Sequence, residues 1–273
     1  MSTIRLEHVS KEFRVRGETA GFVALEDVDL EIQGGEFVAL VGPSGCGKST
    51  LLDLVGGLTE PSGGRILVDG EPVTGPGLDR GIVFQQYALF PWRTALGNVE
   101  FGLEAKGIRR RERAERARHY LNLVGLTGFE ARYPHELSGG MKQRVAIARS
   151  LAFDPNVLLM DEPFAALDAQ TRESLQDELR RIWASTGKTI LFITHAIEEA
   201  VYLGQRVAVL TSRPGRIKAV VGIDLGDRTA SGDLRSDPEF GRYRHEVWTL
   251  LHDEVARAQR SELPQALEEV SSR

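Results

Sequence analysis

Residues 42–50, GPSGCGKST, constrain this chain more than any other stretch. They follow a short apolar run, FVALV at 37–41, and precede LLDLV at 51–55. A buried strand, a glycine-rich loop and a helix start form the setting in which G-x-x-x-x-G-K-[ST] becomes a phosphate cradle. Gly42, Gly45 and Gly47 carry no Cβ, so the loop can curl until several N–H groups converge on one point. A helix beginning near Lys48 adds the positive end of its dipole there. Lys48 is expected to reach the β- and γ-phosphates, and the Ser49 hydroxyl to ligate Mg2+. The sequence thus predicts a nucleotide site made of Gly42, Pro43, Ser44, Gly45, Cys46, Gly47, Lys48, Ser49 and Thr50. An ordinary glycine-rich turn with a chance lysine would leave the flanking strand and helix unexplained.

The whole chain narrows the setting. Its 273 residues are enough for one large domain, or for one domain with a short appendage. A net charge of −5, from 34 basic and 39 acidic residues, weighs against a nucleic-acid partner held by a long-range positive field. The arginine-rich stretch 109–118 does not reverse this. Ala114, Ala117, Leu121 and Val124 repeat at helical spacing, so the arginines read as the wet face of an amphipathic helix that Gly125 stops. The single cysteine, Cys46, excludes an intrachain disulfide and fits a reducing compartment. The opening MSTIRLE alternates and is charged, unlike a signal peptide. No apolar run approaches the roughly 18 residues that would span a bilayer. A cytoplasmic protein that meets a membrane only through a partner is expected.

Further strands and helices alternate along the chain. Ile4, Leu6 and Val9 alternate imperfectly, as do Leu25, Val28, Leu30 and Ile32. Residues 65–68 run into the turn signal Asp69-Gly70, and 81–84 stop at Gln85-Gln86. Ser138, Gly139 and Gly140 precede a helical pattern, which makes a second anion-binding device. VLLM at 157–160 reads as a buried strand that ends in Asp161-Glu162-Pro163. Side chains alternate at a strand end, so one carboxylate can face a metal while the other faces a water. Beside the phosphate loop, Asp161 is assigned the metal and Glu162 the role of base. Leu175, Leu179 and Ile182 mark a helix, TILFI at 189–193 a buried strand ending at Thr194-His195, and VAVL at 207–210 one more strand. The turn Arg213-Pro214-Gly215-Arg216 follows. Asp237-Pro238-Glu239 then opens an amphipathic helix on Phe240, Tyr243, Val247, Leu250 and Val255, read as a short appendage. Alternating buried strands and helices imply an α/β fold with a largely parallel sheet.

The order GPSGCGKST, FQQ, LSGGM, LLMDEP, ALD, TH resembles the ATP-binding subunit of ABC transporters from residue 4 to about 220. A phosphate loop alone has many owners; the serine-glycine-glycine signature between it and the Asp-Glu strand is specific. DEPFAALDAQTR and VFQQYALFPWRTALGNV look most like the nitrate, sulfonate and taurine importer branch. The resemblance implies a P-loop ABC ATPase fold with a mostly parallel core sheet, an antiparallel β part and an inserted helical subdomain. The ATPase domain would span 1–222, with its core at 1–86 and 153–222 and the helical part at about 87–152. Residues 223–273 would be a short helical extension.

The resemblance also assigns roles. Phe13 would stack on adenine, with Phe22 as a substitute. Gln85 would contact Mg2+ and water and report to the membrane partner. Ser138, Gly139 and Gly140 would bind the γ-phosphate of ATP held by a second copy of the chain. Asp168 would cross that dimer interface, and His195 would contact the γ-phosphate. Lys48, Gln85, Glu162 and His195 would form the catalytic set, with Ser49, Gln85 and Asp161 around Mg2+. The implied partners are a second copy, an integral membrane permease and, through it, a periplasmic or extracellular substrate-binding protein. The implied location is the cytoplasmic face of the membrane. Two positions depart from the family pattern: Met141 stands where glutamine is frequent, and Ala196 follows His195 where aspartate is common. A non-transport ATPase of the same family, an exporter subunit and a regulatory module that uses ATP only as a ligand are the alternative readings.

Overall fold

Uninterrupted apolar runs become strands buried on both faces, and this chain has three in a row in space. In the computed structural model, which describes residues 1–13, 21–226 and 234–271, the chain opens with β1 (Ile4–Phe13) and β2 (Phe22–Ile32). It passes through β3 (Phe37–Val41) into α1 (Lys48–Gly56), then along β4 (Gly63–Val68), β5 (Glu71–Pro72) and β6 (Arg80–Val83). Helices α2 (Ala95–Ala105), α3 (Arg110–Leu123) and α4 (Gly139–Ala152) come next. After them run β7 (Val157–Asp161), α5 (Ala169–Thr186), β8 (Thr189–Ile193), α6 (Ile197–Leu203), β9 (Arg206–Leu210) and β10 (Ile217–Gly222). The last described element is α7 (Pro238–Ser271).

The six-stranded sheet has the order β10-β9-β3-β8-β7-β6. Its members from β9 to β6 pair in parallel, and only β10 runs antiparallel, on β9. Every residue of β3 and β8 is buried, which is the pattern of a parallel sheet covered on both faces. The order puts the carboxyl ends of β9, β3, β8, β7 and β6 side by side on one edge. A second, antiparallel sheet, β2-β1-β4-β5, carries the chain's first strands. The imperfect alternation there has a local cause. His8 and Asp27 face each other at φ of 51° and 50°, and the pairing register shifts between Leu6 and Val9. That bulge returns Val9 and Val28 to the buried face.

Helices α2, α3 and α4 fall within the 87–152 segment and pack on one another. They have no core of their own. Val99, Leu103, Ala117, Leu121 and Ala148 share one continuous buried cluster with Phe37 of β3, Phe192 of β8 and Val247 of α7. Ala117, Leu121 and Val124 are buried as the helical spacing predicts, and Gly125 ends the helix at φ 69°.

The C-terminal segment differs from its expectation in length and register. α7 is a single helix of 34 residues. Asp237 caps it, its Oδ1 accepting from the Glu239 amide at 2.8 Å, with Pro238 in the first turn. Phe240, Tyr243, Val247 and Leu251 form its buried stripe, while Leu250 is only partly buried and Val255 is exposed. The next buried position is a carboxylate, Glu254, at 1% exposure.

Because α3 shares its core with the sheet, Leu121→Ala is expected to lower the midpoint of one cooperative denaturation transition. The expected cost is about 2–5 kcal/mol. A separate early transition for the helical segment, read by circular dichroism and tryptophan fluorescence, would contradict the shared core.

Candidate functional site

The phosphate loop leaves the carboxyl end of β3, between β9 and β8 on the parallel edge, and turns directly into α1. Gly45 and Gly47 adopt φ of 71° and 104°, where a side chain would be strained. Gly42 is needed for closeness instead: a Cβ there would sit 2.6 Å from Cys46 Sγ. Lys48 is 7% exposed, and its Nζ donates to the carbonyls of Gly42 and Pro43, both at 2.9 Å. The loop is thereby closed on its own lysine.

A cavity of about 290 Å³ follows the loop, lined by Ser44, Gly45, Gly47, Lys48, Ser49 and Thr50 together with Glu162. Phe22, Ala24 and Arg213 complete its wall. Phe13 is not among the lining residues. It stacks on Phe22 at 5.4 Å between ring centroids, and of the two rings Phe22 lines the cavity. The resemblance puts Phe13 on adenine and Phe22 second; which of two stacked rings lines a cavity is a tertiary fact.

Next along the edge, the two carboxylates at the end of β7 diverge as the strand alternation predicts. Asp161 Oδ1 accepts from Ser49 Oγ at 3.2 Å. Glu162 Oε2 lies 3.4 Å from Gln85 Nε2, at the end of β6, and 3.2 Å from His195 Nδ1, at the end of β8. Glu162 has φ of 43°, an uncommon conformation for a side-chain-bearing residue. Three strand ends thus meet around one carboxylate.

Burial pushes the Asp161 carboxyl above its usual range. The Ser49 hydroxyl draws it back, and the charges of Glu162 and Asp53 raise it further. A hydroxyl beside carboxylates that repel one another is a hard oxygen donor set, and it suits a small divalent cation such as Mg2+.

The remaining predicted residues gather elsewhere. Ser138 caps α4, its Oγ accepting from the Met141 amide at 3.3 Å, and Asp168 caps α5, its Oδ1 accepting from the Thr171 amide at 3.0 Å. The backbone amide at Thr171 holds the Asp168 carboxyl below its ordinary range. Gly140 adjoins this second cap: a Cβ there would meet the Thr171 methyl at 2.6 Å. Ser138, Gly139 and Asp168 are exposed and Gly140 between them is half-buried, so the two helix N-termini form one patch, and none of these residues lines the cavity around Lys48.

Both departures from the family pattern have structural answers. Met141 packs against the core, so its side chain contributes apolar contact where glutamine would be polar. The loop around Ala196 is tied down by its neighbour: Thr194 Oγ1 accepts from the Ala196 amide at 3.0 Å and donates to Glu199 Oε2 at 2.6 Å.

An α/β cassette with a phosphate loop, a serine-capped glycine helix and a carboxylate at a strand end is a nucleotide-hydrolysing unit. The comparisons place it: this chain belongs to the ABC transporter family, whose sequence profile matches residues 25–165, and it is an ATPase of that family. It is 54% identical over 240 residues to the nitrate import ATP-binding protein NrtD of Synechocystis, covering 86% of this chain and 90% of that one. It is 48% identical over 254 residues to the taurine import ATP-binding protein TauB of Rhizobium johnstonii, covering 91% and 96%. The solved dimer of the ATP-binding cassette MJ0796 bound to ADP and Pi is similar at a TM-score of 0.73 and 35% identity, over 81% of this chain and 99% of that one.

Two outcomes are expected. Lys48→Ala abolishes turnover in a steady-state phosphate-release assay; near-normal activity would contradict the site. Cys46 is 1% exposed, and burial pushes its thiol up, so the native protein should resist iodoacetamide and react only once unfolded. Fast labelling of the native state, by mass spectrometry, would contradict the packing of the loop.

Proposed function

We propose that this chain powers import of a small oxyanion such as nitrate, a sulfonate or taurine through a separate membrane permease. The observation that carries this reading is the similarity to nitrate and taurine import subunits over most of both chains. Among the described residues no helix is long and apolar enough to cross a membrane, which fits a peripheral subunit at the cytoplasmic face. One exposed surface suits a membrane partner. Trp92 is 72% exposed, packs against Phe90, and belongs to an aromatic group with Phe101 that follows directly on Gln85 and its turn.

In this reading two copies of the chain enclose two ATP molecules. Each ATP lies between one copy's phosphate loop and the other's patch of Ser138, Gly139, Gly140 and Asp168. The exposure of that patch, away from the chain's own Lys48, supports such sharing. Mg2+ would be held by Ser49, Asp161 and Gln85, and would supply charge neutralisation at the phosphates. Phosphoryl transfer asks a protein mainly for positioning and charge stabilisation. Lys48 and the loop amides draw charge from the β- and γ-phosphates. Glu162 orients the attacking water and takes its proton, and Gln85 and His195 fix the carboxylate that does so. Closure and reopening of the dimer provide the two states a transporter needs. A substrate-binding protein outside the membrane would choose the oxyanion.

The test is a tagged pull-down from gently solubilised native membranes. Co-purification of a multi-span permease is the expected result. Recovery only from the soluble fraction, with ribosomal or DNA-repair proteins, would overturn the transport reading and leave the ATPase intact.

A further inference from the structure

The fifth strand end on the parallel edge belongs to β9, which lies beside β3 and leads directly into residues 211–216. Sequence reasoning took this segment only as a turn. Its backbone is bound into the wall of the phosphate loop. Gly215 exchanges hydrogen bonds with β2, donating to the Ala24 carbonyl at 2.9 Å and accepting from the Glu26 amide at 3.0 Å. A side chain at Gly215 would run into the carbonyl oxygen of Cys46. Within the turn, Thr211 Oγ1 donates to the Pro214 carbonyl at 2.9 Å and accepts from the Arg216 amide at 2.9 Å.

This rigid turn delivers one cation to the nucleotide cavity. Arg213 lines it, donates from Nε and Nη2 to the Gly45 carbonyl at 3.3 and 3.2 Å, and lies 4.6 Å from the centroid of the Phe22 ring. Guanidinium planes stack on aromatic faces and offer several donors at fixed angles. A purine is a flat π-system edged with acceptors. Ligands of open parallel sheets bind beyond the carboxyl ends of the strands, which is where this side chain sits.

Behind Arg213 stands the buried carboxylate of α7. Glu254 Oε2 accepts from the Ser212 amide at 3.0 Å and from Ser212 Oγ at 3.3 Å, and Oε1 pairs with Lys218 at 2.9 Å and Arg257 at 3.2 Å. A charge at 1% exposure is costly unless bonded in this way, and here the bonds fasten the C-terminal helix to the residue preceding Arg213.

We propose that Arg213 is a nucleotide-binding residue that contacts the base end of ATP beside Phe22, and that Glu254 positions it. The proposal rests on the ATP site and is independent of the transported solute. It gives α7 a part in nucleotide affinity.

The test measures binding of Mg–AMP-PNP and of magnesium tripolyphosphate to the full chain by titration calorimetry. Tripolyphosphate fills the phosphate loop without a base. Arg213 is exposed, so Arg213→Gln leaves the core intact. It should weaken AMP-PNP roughly five- to tenfold, the size of a cation–π contact with a partly desolvated partner, and change tripolyphosphate less than about twofold. Arg213→Lys, which keeps the charge and loses the plane, should weaken AMP-PNP in the same direction. Equal weakening of both ligands would place Arg213 on the phosphates and overturn the assignment, as would unchanged AMP-PNP binding. Glu254→Gln should also weaken AMP-PNP while sparing tripolyphosphate, and the double variant should bind no more weakly than Arg213→Gln alone. Full additivity would contradict the positioning role.

Discussion

Five parallel strands ending on one edge are the constraint on which the rest of this molecule depends. Parallel pairing from β9 to β6 aligns the carboxyl ends, and each end then presents part of the candidate site. β3 gives the phosphate loop, β8 gives His195, β7 gives Asp161 and Glu162, β6 gives Gln85, and β9 gives Arg213. Residues more than a hundred positions apart in sequence, such as Ser49 and Asp161, come within hydrogen-bond distance because the sheet fixes the spacing. The price is that the central strands must be apolar, since helices cover one face and α1 with the antiparallel sheet covers the other.

Charge is distributed around this edge so that opposite faces of one cavity do different work. Lys48 is held by two backbone carbonyls, which are dipoles and not charges, so its positive charge stays available to a phosphate. On the other side burial first, and then the charges of Glu162 and Asp53, raise the Asp161 carboxyl, and a divalent cation would relieve that repulsion. His195 and Gln85 converge on Glu162 from neighbouring strands, so the carboxylate is oriented from two directions. A cationic side and an anionic side of one cavity are what a magnesium–triphosphate requires.

Much of this was legible in the sequence wherever one residue type answers one local demand. The phosphate loop shows itself because glycine adopts the conformations at Gly45 and Gly47 without the strain a side chain would bring. β3, β7 and β8 show themselves because a strand covered on both faces leaves no polar position to confuse the pattern. What stayed hidden depends on tertiary neighbours. The exposed ring of the Phe13–Phe22 stack is decided by how β1 and β2 pair around their bulge. Arg213 looked like part of a turn because nothing local reveals that β9 lies next to β3. Glu254 broke the apolar stripe of α7, and its polar partners lie on β10, on its own helix and at Ser212, beyond any sequence window. Val255 was taken in its stead, and it is exposed.

The central claim is that Glu162 is the base of a site completed by a second copy of the chain. The most direct measurement is the mass of the Glu162→Gln variant by light scattering with and without saturating MgATP, paired with single-turnover hydrolysis. The expected result is an ATP-dependent dimer that retains unhydrolysed ATP. A monomer at saturating MgATP, or wild-type hydrolysis by the variant, would contradict it.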